Sequence, residues 1–199
     1  MDVGFVGNGE MADAIMDRLR QAGHRLHHDR HGRHDRSAFR DQAGMCDVVM
    51  MLLPDARAVE AALFGDARFA NDGFAGALPP DTLVIDLSRI PPSEASANAA
   101  RLSGMGVLTA DAPLAPGFTP GFTPGFAIDL GGSDAACARA EPLLRLLSDG
   151  VVRAGGAGDG QRAHLARTAD RKNDDPDGLH RLLRLMAFDG PAEPMLSAS

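Results

Sequence analysis

Two glycines near the start of the chain, Gly7 and Gly9, constrain its fold more than any other feature. They follow a short β-prone run, Val3-Gly4-Phe5-Val6. They precede a stretch in which Met11, Ala14, Ile15, Leu19 and Ala22 recur at helical spacing. Gly7-Asn8-Gly9-Glu10-Met11-Ala12 thus matches G-x-G-x-x-G/A in the context where that pattern has a physical role, a strand passing through a tight turn into a helix. Gly7 permits the turn, Gly9 lets the backbone approach a pyrophosphate, and Ala12 is small enough for the helix to pack closely on the strand. The helix N-terminus then offers free N–H groups and the positive end of its dipole to the phosphates. This predicts a dinucleotide site formed by Gly7, Asn8, Gly9, Glu10, Met11 and Ala12; a glycine turn that merely joins two elements is the other reading.

Gly23 stands where a helix C-terminal glycine belongs, and the next strand is expected at Arg25 to Asp29, although only Leu26 in it is strongly apolar. At the end of such a strand a carboxylate suits the ribose 2′-OH of NAD, and an arginine suits the 2′-phosphate of NADP. Asp29-Arg30 offers both, and Arg33 and Arg36 lie close by. The basic cluster favours NADP over NAD through charge-assisted hydrogen bonds, against the alternative of a solvated polar loop. His27, His28, His31 and His34 are interleaved here without acidic or cysteine partners at ligand spacing, so no metal is expected.

Val48 to Leu53 and Thr82 to Leu87 read as buried parallel strands, with helices expected at Ala56–Phe64 and Pro92–Ser103. Further strands are expected near Gly106–Ala110, Phe126–Leu130 and Val151–Arg153, a helix at Ala135–Leu147, and the start of another at Gln161–Thr168. Strands alternating with helices predict an α/β fold, a Rossmann-type, doubly wound, mostly parallel sheet. Between Arg30 and Asp47 the chain is about ten residues too short for a further strand–helix unit, so the sheet is expected to lack one edge strand. Pro116 to Phe126 repeats a four-residue unit, PGFT, whose prolines exclude a regular helix; Phe118 and Phe122 either pack on the domain or cover a cleft or partner. Beyond Thr168, Asp170–Asp177 is charged and proline-stopped. Leu179, Leu182, Leu183 and Met186 form one helical face, and Gly190–Ser199 reads as a loose tail. The expected organisation is a nucleotide-binding domain over residues 1–168 and a short helical appendage over 169–199.

The formal net charge of -7 argues against a general nucleic-acid binder. No apolar run reaches membrane-spanning length, and no basic region with a signal core opens the chain, which makes the cytoplasm the expected compartment. Cys46 and Cys137 are far apart and lack ligand spacing, so they read as buried thiols before a disulfide or redox pair.

Gly4 to Ala12 resembles the GFIGLGxMG opening of the β-hydroxyacid dehydrogenase family. Ala22-Gly23-His24 is similar to that family's AGH, Asp47–Pro54 to its DVVITMLP, and Ala58–Gly65 to its AVEAVLFG. Asp86–Pro92 resembles D-x-S-T-I-S-P, Asp111–Leu114 the start of DAPVSGG, and Gly158–Ala166 the segment GAGQAAKLA. The resemblance implies cofactor contacts at Leu53, Pro54 and Ser88 as well as at the glycine turn, and a substrate loop at Ala115, Pro116 and Gly117. There Ala115 and Pro116 replace the serine and glycine that bind the acid in the family. The family's catalytic lysine aligns with His164, its asparagine pair with Arg167 and Thr168, and a threonine near the nicotinamide with Arg89. His164 and Thr168 are therefore the candidate catalytic residues. A histidine has the pKa of a general acid or base, and an ordinary helix-surface histidine is the alternative. The family's all-helical second domain would follow Thr168, where about thirty residues remain, too few for an independent core. Two functions are compatible with these residues. One is an NADP-dependent oxidoreductase acting on a small hydroxy acid, carbonyl or imine, as a homodimer or with a partner chain. The other is a non-catalytic dinucleotide-binding module or a subunit completed by another chain.

Overall fold

Val48 and Met50 face one side of their strand, Val49 and Met51 the other, and all four are buried. A strand buried on both faces must lie inside a sheet covered by helices on both sides. The computed structural model describes residues 1–29, 36–65, 73–115 and 127–174, with residues 29, 36–38 and 170–174 described by backbone alone. Its sheet comprises β1 (Asp2–Gly7), β2 (Arg25–Asp29), β3 (Val48–Leu52), β4 (Leu83–Asp86), β5 (Leu108–Asp111), β6 (Ala127–Gly132) and β7 (Gly150–Gly155), in the order β2-β1-β3-β4-β5-β6-β7. All neighbours are parallel except β5 and β6. The helices are α1 (Glu10–Gln21), α2 (Arg36–Ala43), α3 (Ala56–Phe64), α4 (Pro92–Ser103), α5 (Asp134–Leu144) and α6 (Asp159–Asp174), with a 3-10 turn at Phe74–Ala77.

The two faces carry separate cores. Ile15, Met16 and Leu19 of α1 and Ala140, Leu143 and Leu144 of α5 pack with Phe5, Met50 and Ile85. On the opposite face, Phe39 of α2, Val59 and Leu63 of α3 and Leu102 of α4 pack with Val49, Met51 and Val84. Period-2 alternation along β3 and β4 sends successive residues to opposite cores, which makes the sheet doubly wound.

Local signals explain where elements stop. α1 closes where the Gly23 and His24 N–H groups return to the Arg20 and Leu19 carbonyls, as the position of Gly23 predicts. α5 ends at Leu144, short of the expected Leu147. Pro142 removes one backbone donor from its last turn, and Leu146 and Leu147 continue in tighter bonds to Leu143 and Leu144. Between β2 and β3 the chain forms α2 but no strand among the described residues, so β2 is the edge there, as the short spacing predicts. α6 runs on to Asp174 because nothing between Thr168 and Asp174 forbids a helix; the proline stands at Pro176.

The chain divides into two compact units, Met1–His164 and Leu165–Ser199. The first holds the whole sheet; of the second, the described residues continue α6. The expected helical face at Leu179–Met186 lies outside the described residues. No helix among the described residues is long and apolar enough to cross a membrane. Cys46 and Cys137 are free and buried. Burial pushes the Cys46 thiol up to about 11.

Candidate dinucleotide site

The chain moves outward from β1 to β2 and then crosses back to β3 on the other side of β1. In open α/β sheets that reversal leaves a crevice at the carboxyl ends of the strands, where ligands bind. Gly7 ends β1 there, in register with Leu52 of β3. Its φ is +148°, and a Cβ would collide with the Leu52 carbonyl oxygen. Gly9 has φ +99°, a region reserved for glycine, and no atom of the described residues lies within 4 Å of where its Cβ would stand. Gly9 is also the N-cap of α1, and no side chain caps the helix. Among the described residues no side-chain cap takes up the first N–H groups of α1, the donors that a pyrophosphate requires. Asn8, Gly9 and Glu10 are exposed, Met11 is half-buried, and Ala12 is fully buried in the core under β1. These residues fit the phosphates of a dinucleotide.

A histidine at the end of β2 braces this turn. His28 Nε2 lies 2.8 Å from the Gly7 carbonyl oxygen and must donate to it, since a carbonyl only accepts. Nδ1 of the same ring is buried with no hydrogen-bond partner among the described residues, and the Phe5 ring packs edge-on at 6.1 Å. His27, one residue earlier, instead pairs with the Asp2 carboxylate at 2.8 Å, and that hydrogen bond holds Asp2 below its usual range. The two histidines are thus committed to different partners, and no group of His, Cys, Asp or Glu among the described residues could hold a metal. Asp29 is in register with Val6 of β1, which brings its backbone to the crevice edge. Arg30 lies outside the described residues, as do His31, Arg33 and His34.

The chain leaving β4, Leu87–Ile90, forms a strap bonded to the end of β3. Ser88 is 1% exposed; its hydroxyl accepts the Leu53 N–H at 2.9 Å, and both its hydroxyl and its N–H donate to Asp86. Ser88 therefore holds the Leu53 backbone in place, next to the exposed Pro54. Gln161, in the first turn of α6, clamps the next residues: its Nε2 donates to the Ser88 carbonyl at 2.7 Å and its Oε1 accepts the Ile90 N–H at 3.3 Å. Gln161 falls on the glutamine of the GAGQAAKLA resemblance, but its clamp is not legible there, because its partners are 71 and 73 positions away.

Below the strap sit two carboxyl groups, Asp86 and Asp111, in register on β4 and β5. Asp111 accepts the N–H groups of Gly158 and Gln161 at 2.7 and 2.8 Å and so anchors the start of α6. Burial nevertheless raises its pKa, and burial pushes Asp86 up to about 6 against the hydrogen bonds of Ser88. Both line a cavity of about 20 Å³, the size of one water, beside the unpartnered Nδ2 of Asn98.

His164 is 8% exposed on α6, buried and not on the open face of the helix. Thr168 lies on the same helix, within the second unit. The Leu114 N–H donates to the Leu87 carbonyl, which ties the residue before Ala115, the start of the expected substrate loop, to the strap. Pro116, Gly117, Phe118 and Phe122 lie outside the described residues.

Comparison with known proteins agrees with this geometry. Residues 2–156 match the family model for the NAD binding domain of 6-phosphogluconate dehydrogenase. The chain is 29% identical over 176 residues to 2-hydroxy-3-oxopropionate reductase of Escherichia coli, an alignment covering 83% of this chain and 59% of the reductase. It is 30% identical over 210 residues to L-threonate dehydrogenase of Cupriavidus necator, covering 92% of this chain and 69% of that enzyme. Among solved structures, Psf3 in complex with NADP+ and 2-OPP superposes with a TM-score of 0.71 at 19% identity, over 95% of this chain and 69% of Psf3. The chain thus spans between about three-fifths and two-thirds of the length of these relatives. With the glycine turn, the crevice and the family match all falling on the same residues, the chain belongs to the β-hydroxyacid dehydrogenase family, through an NAD(P)-binding domain of the 6-phosphogluconate dehydrogenase type.

Proposed function

We propose that the chain binds NADP(H) at the Gly7–Ala12 turn and works as an oxidoreductase on a small hydroxy acid, carbonyl or imine. The observation that carries this reading is the N-terminus of α1 behind Gly9, which no side chain caps among the described residues and which has room at Gly9 for the backbone to approach a pyrophosphate. Gly7, Asn8, Gly9, Glu10, Met11 and Ala12 would hold the pyrophosphate, with Leu53 and Pro54, fixed by Ser88, along the crevice. Asp29 and Arg30 stand at the position that reads the ribose, and Arg30 with Arg33 and Arg36 favours the 2′-phosphate of NADP. NADP+ in the Psf3 complex supports the same preference. Bound NADPH supplies the hydride. The chain's part is to place the cofactor, shield the reacting atoms and deliver a proton to the product oxygen or nitrogen, a role we assign to His164; Thr168, four residues on in the sequence, is the second candidate.

The identities of Ala115, Pro116 and His164 favour a second reading, a dinucleotide-binding module without turnover, completed or used by a partner chain. One experiment separates the two. The purified chain is titrated with NADPH and then assayed on a panel of small hydroxy acids, carbonyls and imines, alongside His164→Ala. The enzyme reading expects turnover, and a fall of about 100-fold or more in kcat with unchanged NADPH affinity in His164→Ala. Tight NADPH binding with no turnover on the panel overturns it in favour of the module.

A further inference from the structure

Arg89 is the exposed member of a strap that is otherwise buried. Ser88 and Ile90 on either side are 1% and 5% exposed, and Gln161, 1% exposed, bonds to the backbone of both. The Leu87 N–H is held by the Met51 carbonyl and the Leu87 carbonyl by the Leu114 N–H. The backbone at Arg89 is therefore fixed from both flanks, while its side chain leaves the loop toward solvent at the carboxyl end of β4. Among the described side chains Arg57 and Arg89 are the arginines that meet no hydrogen-bond or ion-pair partner; every other one is engaged. Arg57 stands in the first turn of α3, whereas Arg89 stands beyond the carboxyl end of β4, next to Ser88, whose N–H donates to Asp86.

An arginine without a partner, on a fixed base, is suited to one kind of ligand. Its planar guanidinium remains charged at every working pH and presents parallel donors that match a carboxylate. In a chain of net charge -7 it is also the local attraction an anion needs to enter the crevice. We infer that Arg89 anchors the carboxylate of the substrate and so selects small acids over neutral carbonyls and imines. This rests on the reading of the crevice as an NADP(H)-dependent active site.

The test measures binding, not turnover. The chain is saturated with NADP+, whose own affinity is recorded, and titrated by calorimetry with 3-hydroxypropionate and with its neutral amide. The wild-type chain is expected to bind the acid at least about 10-fold more tightly than the amide. In Arg89→Gln the acid should weaken by about 10- to 100-fold, with the amide and NADP+ within about two-fold of wild type. Arg89→Lys should recover part of the preference, because it restores the charge without the fork, and Arg57→Gln should leave it unchanged. Unaltered acid binding in Arg89→Gln, loss of the preference in Arg57→Gln, or weakened NADP+ binding in Arg89→Gln each overturns the assignment. A wild-type chain that binds NADP+ but shows no preference for the acid overturns it alone, whereas one that binds no NADP+ removes the reading beneath it as well.

Discussion

Asp86 shows how a single residue joins stability to the site. Its side chain is buried under the strap, holds the Ser88 N–H and hydroxyl, and has its pKa pushed up to about 6 by burial and by its neighbour Asp111. A carboxyl group raised from 3.8 keeps its proton longer in the folded than in the unfolded chain. Between about pH 4 and pH 6 the folded state therefore binds more protons, and stability falls as pH rises through that window. Asp86→Asn keeps an acceptor for the Ser88 N–H and removes the ionisation. Urea denaturation across this range should show a flatter pH dependence, with the variant gaining on the order of 2 kcal/mol relative to wild type between pH 4 and pH 7. Asp111, also raised, retains its share of the slope. An unchanged slope would place the proton elsewhere. His28 works at the same scale: its bond to the Gly7 carbonyl sets the turn from behind, through a contact between strands that spacing along the chain does not reveal.

At the level of elements, β3 is the hinge of the architecture, since it lies between β1 and β4 and feeds both cores. Met50 is fully buried against the α1 and α5 face. Met50→Ala should destabilise the domain by about 2–5 kcal/mol, from lost transfer energy and the cavity left behind, measured as a lower denaturation midpoint with an unchanged slope. Elements marked by strong periodicity or punctuation were legible from the sequence: α1 by its apolar stripe and Gly23, α3 by Ala56–Phe64, α4 by Pro92 at its first turn. β2 was legible despite its two histidines, because a strand must follow α1 for the turn to make sense. What stayed hidden depends on long-range contacts. The Gln161 clamp, the facing of Asp86 and Asp111, and the Phe39–Phe74 ring contact at 5.6 Å all join distant segments. The glycine turn was legible because its chemistry is local; the commitment of Ser88 to Leu53 was not, because it depends on which strands are neighbours.

For the molecule as a whole, the sheet delivers the ends of β1, β3 and β4 to one edge, and the open helix N-terminus there is the feature on which function turns. The proposed function requires this edge to hold NADP(H) in preference to NAD(H). The sequence contains no Trp and no Tyr, so the fluorescence of bound NADPH can be followed without energy transfer from indole or phenol groups. The decisive measurement is therefore a direct titration of the chain with NADPH and with NADH, repeated with Arg30→Ser. Saturable one-to-one binding is expected, with NADPH tighter than NADH by about 10-fold or more, and loss of most of that margin in Arg30→Ser with NADH binding retained. No binding of either nucleotide, or equal affinities unaffected by Arg30→Ser, would contradict it.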